Sequence, residues 1–236
     1  MAAASTRSAA SLGVWAWRAV KFVVGLVATV HIYALILSFV PAPGTANMAG
    51  RILQGTTVYH TWVKFEDVSP HLVRAVIAAE DTRFCDHSGV DVEAIQTALD
   101  ERETRGRLRG ASTLTQQTAK NVFLWNGGGM ARKAGEAWMA VFIDGFWGKR
   151  RVVEVYLNVA EWGDGLYGAE AAARGRFGKS ARDLTAFEAA RLAAVLPSPN
   201  KWRVNPAGPY VRQRTATIQA RMAVVQRDGL DACVFD

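Results

Sequence analysis

The stretch Ser69-Pro70-His71-Leu72-Val73-Arg74-Ala75-Val76-Ile77-Ala78-Ala79-Glu80-Asp81 decides how this chain is read. Ser followed by Pro starts a helix, with Ser as N-cap and Pro at the first helical position, where no N–H is needed. Leu72, Val73, Val76 and Ile77 then form an apolar stripe of helical period. Glu80 extends the i, i+4, i+8 line of Leu72 and Val76, so a carboxylate prolongs a ridge expected to be buried. Poor solvation raises the pKa of such a carboxyl and makes it a better base. Asp81, Phe84, His87 and Gly89 follow as a compact turn, the form of a cleft edge. A local pairing of Glu80 with Arg83 is the plainer alternative.

Working outward, most of the chain reads as helix. A short strand-like segment, Thr56 to Tyr59, precedes the quoted stretch. Asp91 caps an amphipathic segment carrying Val92, Ile95 and Leu99, and the charge-dense residues 101–109 are expected as an exposed, mobile connector. Ser112 or Thr113 opens a further helix to about Leu124, and Gly127-Gly128-Gly129 marks a loop. Two helical segments follow, Arg132 to Trp147 and Arg151 to Leu157. Thr185 and Glu188 have capping-box spacing, and Pro197 stops that helix. The last helix carries Ile218, Met222 and Val225 and ends at Gly229. Alternating strand patterns are scarce, so the expected fold class is all-α.

The chain's 236 residues, half of them apolar, can build one core plus a membrane anchor, and exclude a disordered or collagen-like chain. Phe22 to Val40 contains no Asp, Glu, Lys or Arg and as a helix would span roughly 28 Å, near the hydrocarbon thickness of a bilayer. Arg7, Arg18 and Lys21 precede it, and the next charge is Arg51, which places the N-terminus in the cytoplasm. A cleaved signal peptide is the competing reading, against which stand the length of the run and the Pro41-Ala42-Pro43-Gly44 context. The expected organisation is a cytoplasmic N-terminus over 1–21, a transmembrane helix over 22–40, a linker over 41–54 and a domain over 55–236. Cys85 and Cys233 could pair in an oxidising compartment, but a bridge from a motif to the tail is read as less favoured than two free thiols.

Two more clusters carry chemistry. In Ser112-Thr113-Leu114-Thr115-Gln116-Gln117-Thr118-Ala119-Lys120-Asn121, the residues Thr113, Gln116 and Lys120 share a helical face, and a helix N-terminus suits an anionic oxygen. Amides, hydroxyls and a cation in one groove fit a sugar and a phosphate; a solvated face is the alternative. Arg132 and Lys133 precede Glu136 by four and three positions. An intrahelical ion pair is the default, yet on a largely apolar helix two cations beside a carboxylate could hold a diphosphate, with or without a divalent ion. The net charge of +7 favours an anionic partner. The four His have no metal-ligand spacing, no dinucleotide or Walker loop occurs, and no aromatic–basic platform supports nucleic-acid binding.

Together these residues resemble the peptidoglycan glycosyltransferase family. The motifs are Glu80-Asp81-x-x-Phe84-x-x-His87-x-Gly89, Gly110-Ala111-Ser112-Thr113 leading to Gln116-Gln117-x-x-Lys120-Asn121, Arg132-Lys133-x-x-Glu136, and Val153-Glu154-x-Tyr156-Leu157-Asn158. The likeness runs from about residue 55 to 205, without room for a transpeptidase domain. It implies a lysozyme-like helical fold that polymerises lipid II into β-1,4-linked glycan, inverting the donor's anomeric carbon and releasing undecaprenyl diphosphate. By position it makes Glu80 the general base and Glu136 a second catalytic carboxylate. Lys120, Arg132 and Lys133 would offset diphosphate charge, and Ser112, Thr113, Gln116, Gln117 and Asn121 would shape the donor site. Asp81, Phe84 and His87 join the substrate-binding set, and Glu154 is structural. No organic cofactor is implied; Mg or Mn at the diphosphate stays open. The implied setting is the cell inner membrane with the catalytic domain periplasmic, lipid II, the growing strand and the bilayer as partners, and cell-wall synthesis proteins alongside. Ala111, Gly128 and Gly175-Arg176-Phe177 depart from the usual pattern, Gly128 where relatives often carry a phosphate-holding Arg. A lytic transglycosylase or lysozyme-like hydrolase, and an inactive assembly protein, are the rival readings.

Overall fold

The structure is a computed structural model that describes residues 3–105, 110–125 and 127–235. It divides into two units, residues 1–40 and 41–236. The first is a single helix, α1 (Ala3–Leu37), whose portion Gly13–Leu37 is long and apolar enough to cross a membrane. Near its start Arg18 and Lys21 each lie 5.3 Å from an indole ring, of Trp15 and Trp17 respectively. Aromatic and basic side chains together are the usual dressing of a bilayer interface.

The second unit begins earlier than the expected linker allows. Within 41–54 lies α2 (Ala46–Leu53), started by Thr45, whose hydroxyl accepts from Met48 N at 3.2 Å, and anchored by buried Met48. The quoted stretch forms α3 (Pro70–Glu80), and it is more deeply buried than one stripe requires. Leu72, Val73, Ala75, Val76, Ile77 and Ala78 have no exposed surface. A helix apolar on nearly all sides belongs at the centre of a core. Helices α8 (Ala186–Val195) and α9 (Pro209–Arg227) pack on it. Ala189, Ala190, Ala193 and Ala194 let α8 approach closely, and its capping box of Thr185 and Glu188 is present.

Asp91 caps α4 (Val92–Arg105), accepting from Ala94 N at 2.9 Å. The expected connector is therefore helical as far as Arg105, where Glu, Arg and Thr at helical spacing extend α4; residues 106–109 lie outside the described residues. Helix α5 (Leu114–Phe123) packs along α6 (Gly129–Val159). The two segments expected at 132–147 and 151–157 are the arms of α6, separated at Gly148 by φ +71° and ψ 165°, values only glycine adopts cheaply. A small sheet of β1 (Tyr59–His60), β2 (Glu161–Gly163) and β3 (Leu166–Tyr167) has the order β1-β3-β2. Asn158, at the end of α6, ties in the segment after β1 by accepting from Val63 N and donating to Val63 O, both at 2.9 Å. Helix α7 (Ala169–Phe177) follows the sheet.

The tail corrects the cysteine expectation. After Gly229 the chain forms α10 (Ala232–Phe235), and Cys233 is disulfide-bonded to Cys85 with a Cα–Cα distance of 5.6 Å. Arg74 brings the tail in through an ion pair to buried Asp231 at 2.7 Å and lies 5.0 Å over the Phe235 ring. These long-range contacts place the two sulfurs together, and no local pattern at either cysteine announces them.

Candidate active site

Glu80 is the last residue of α3, so the buried ridge delivers its carboxylate to the edge of the core. Its side chain is 13% exposed. Gln117 on α5 donates from Nε2 to Oε2 at 3.0 Å, and Arg214 on α9 lies 3.3 Å from Oε1. Burial pushes the Glu80 pKa above the usual carboxylate value, opposed chiefly by the Gln117 hydrogen bond and then by the Arg214 charge. Arg83, the local partner considered from sequence, instead pairs with Asp86, Asp91 and Glu93. Behind Gln117 stands fully buried Tyr156, whose hydroxyl donates to the amide oxygen at 3.4 Å. That bond favours the amide orientation that turns Gln117's N–H toward Glu80.

The residues just after Glu80 build the wall. Asp81 accepts from Leu114 N at 2.8 Å, which fixes the start of α5, and His87 Nε2 lies 3.1 and 3.2 Å from its two oxygens. Phe84 is wholly buried, with the Lys149 ammonium 4.6 Å from its ring centroid and the His87 ring at its edge. Lys149 also donates to His87 O and pairs with Asp144 at 2.8 Å. Gly89 has φ +85°, and a Cβ there would meet Ala140 O at 2.6 Å, so the turn closes only with glycine. Phe84, Asp81 and His87, expected to bind substrate, pack against one another here, and Asp81 also lines the groove described below.

On α5 two of the residues expected on the site face also build the helix start, and Thr113 lines the groove described below. Thr113 and Gln116 form a capping box: Thr113 Oγ1 accepts from Gln116 N, and Gln116 Oε1 accepts from Thr113 N, both at 3.0 Å. Each is 2% exposed, so their polar atoms are spent on the helix start. Gln117 and Lys120 are the residues of this helix that face the carboxylates, with Asn121 half-buried one position on.

The first arm of α6 brings Arg132, Lys133 and Glu136 together. Glu136 is 2% exposed and has Arg132 on one oxygen and Lys133 on the other. Lys133 also donates to Ser112 Oγ at 2.7 Å. Glu136, expected as a second catalytic carboxylate, thus lies buried with both oxygens paired to cations. Among the described residues no group of three or more His, Cys, Asp or Glu could hold a metal ion. Lys120 joins the halves of the site. Burial pushes its ammonium below the usual lysine value, while Glu136 and more weakly Glu80 pull it up against Arg132 and Lys133.

Beside Glu80 opens a groove of about 340 Å³, lined by Glu80, Asp81, Thr82, Asp91, Glu93, Thr97, Ser112 and Arg221 among others. A buried carboxylate, a cationic cluster and a polar groove on a helical scaffold are the groups that transfer of a sugar from an anionic leaving group would call on. Residues 46–223 match the transglycosylase family, and the chain belongs to it. It is 53% identical over 213 residues to a biosynthetic peptidoglycan transglycosylase of Rhodospirillum centenum, covering 90% of this chain and 92% of that one. Proteins of the same name from Caulobacter vibrioides and Pseudomonas aeruginosa are 49% and 46% identical, covering 89% and 87% of this chain and 91% of each relative.

Sequence reasoning missed two residues. Arg214 lies 134 positions from Glu80, beyond any local pattern. Tyr156 stood within a quoted motif, but its hydroxyl acquires meaning only once Gln117 is seen beside it. A third error was avoidable: Thr-x-x-Gln at 113–116 is itself capping-box spacing.

Proposed function

We propose that this protein is a peptidoglycan glycosyltransferase that polymerises lipid II into β-1,4-linked glycan strands for cell-wall synthesis. The observation that carries the reading is the position of Lys120, within electrostatic reach of both Glu80 and the Arg132–Lys133–Glu136 cluster. Glu80 takes the proton from the acceptor sugar's 4-hydroxyl. The freed oxygen attacks the donor's anomeric carbon from the face opposite the diphosphate, and the carbon–oxygen bond to the leaving group breaks with inversion. Lys120, Arg132 and Lys133 offset the charge that gathers on the departing undecaprenyl diphosphate, the kind of preorganised stabilisation that commonly dominates such steps. Glu136 acts through Arg132 and Lys133 by holding their geometry. The reaction needs no organic cofactor, and no step is assigned to a metal.

The anchor and the disulfide support the same setting. Arg18 and Lys21 near the start of the apolar helix favour a cytoplasmic N-terminus in the inner membrane, and a disulfide in the second unit fits an oxidising periplasm. A tethered site also meets a lipid-linked substrate at high effective concentration. The test is glycan synthesis from purified lipid II, run beside digestion of finished sacculi. Polymer from the wild type, none from Glu80→Gln and intact sacculi are expected; solubilised sacculi without polymer would establish a hydrolase instead.

A further inference from the structure

Transfer between two lipid-linked sugars requires two places for a diphosphate, because the acceptor keeps its own while the donor loses one. The cluster of Lys120, Arg132 and Lys133 supplies one place, beyond Glu80 on α5 and α6. None of the three lines the groove beside Glu80, although Lys133 donates to Ser112 at its edge. Of the cations that do line it, Arg83 is taken up by Asp86, Asp91 and Glu93. Arg221, exposed on α9, has no hydrogen bond or ion pair among the described residues.

Arg221 also stands at a telling distance. Arg214 on the same helix holds Glu80, and seven residues further along an α-helix is two turns on the same face, a rise of about 10 Å. That is close to the length of a disaccharide, the unit that separates an acceptor's reacting hydroxyl from its diphosphate. Past Arg221 lies a second hollow, lined by Thr82, Val224, Val225 and Leu230, which shares Thr82 and Arg221 with the first. A polar groove beside the base, then a lone cation, then an apolar hollow repeats the order sugar, diphosphate, hydrocarbon.

We infer that Arg221 recognises the diphosphate of the acceptor, with its disaccharide in the groove beside Glu80 and the first part of its lipid in the hollow beyond. The inference rests on the proposed glycosyl transfer and names the acceptor end of that site. A guanidinium suits the role because its donors match phosphate oxygens in pairs.

The test uses full-length protein, a preformed lipid-linked glycan as donor, and two labelled acceptors. One is the lipid-linked disaccharide diphosphate; the other carries an uncharged spacer of equal length in place of the diphosphate. The wild type should prefer the charged acceptor, and Arg221→Gln should lower the ratio of the two kcat/KM values about tenfold, with Arg221→Lys between them. No preference in the wild type, an unchanged ratio in Arg221→Gln, or an equal loss with both acceptors would each overturn the assignment. Absence of any product from the wild type would instead refute the proposed transfer itself.

Discussion

Glu80 and Glu136 are the same residue in opposite circumstances. Glu80 ends a buried helix and has one amide and one arginine at ordinary hydrogen-bond or ion-pair distance, with burial as the dominant influence on its proton. Glu136 lies within a helix turn of two cations and has both oxygens occupied. Burial raises the proton affinity of the first, whereas the second is held between two cations. A carboxylate's chemistry is thus set by how many charges its neighbours bring, and motif membership alone does not separate base from clamp.

The contrast is broken most severely at Glu80. Glu80→Gln should lower kcat about a thousandfold with folding intact, since a general base of this kind is worth roughly that factor; near-normal polymer synthesis would remove Glu80 from its role. Glu136→Gln should cost about a hundredfold in kcat and about 2 kcal/mol in stability by releasing Arg132 and Lys133. Thermal melts beside activity would reveal both losses, and a stable variant with full activity would show the clamp to be dispensable. Reducing the disulfide should lower the melting temperature by about 10 °C, given the 148-residue separation, because the open chain regains loop entropy. Its effect on rate should fall on the Glu80 side, where Cys85 lies in the supporting turn.

The smallest expected effect is the sharpest. A base must be deprotonated, so polymerisation should rise with pH through the Glu80 pKa, which burial sets above the usual carboxylate value. Tyr156→Phe frees the Gln117 amide and weakens the bond that holds that pKa down, so the acid limb should move to higher pH. In a Gln117→Ala background the same change should move nothing further; an additive shift would show that Tyr156 acts by another route.

Much of this arrangement was legible before any coordinates. Helix caps at Asp91 and Thr185, the break between the arms of α6, and Glu80 at the end of an apolar ridge follow from local rules of spacing and termination. The partners of Glu80 did not. Arg214 and Tyr156 reach it through packing of α9 and the second arm of α6 around α3 and α5, and sequence distance carries no trace of that. Helical periodicity placed Gln116 on the site face because it ignores competition for polar atoms; the N-terminus of α5 claimed that amide first. The small sheet and α10 are held by contacts to distant segments, so their residues have little pattern of their own.

The bond between Cys85 and Cys233 also orders events in time. Synthesis from the N-terminus delivers Glu80 long before the second thiol, 148 positions after the first, so the turn beside that glutamate stays unlocked until residue 233 has been made.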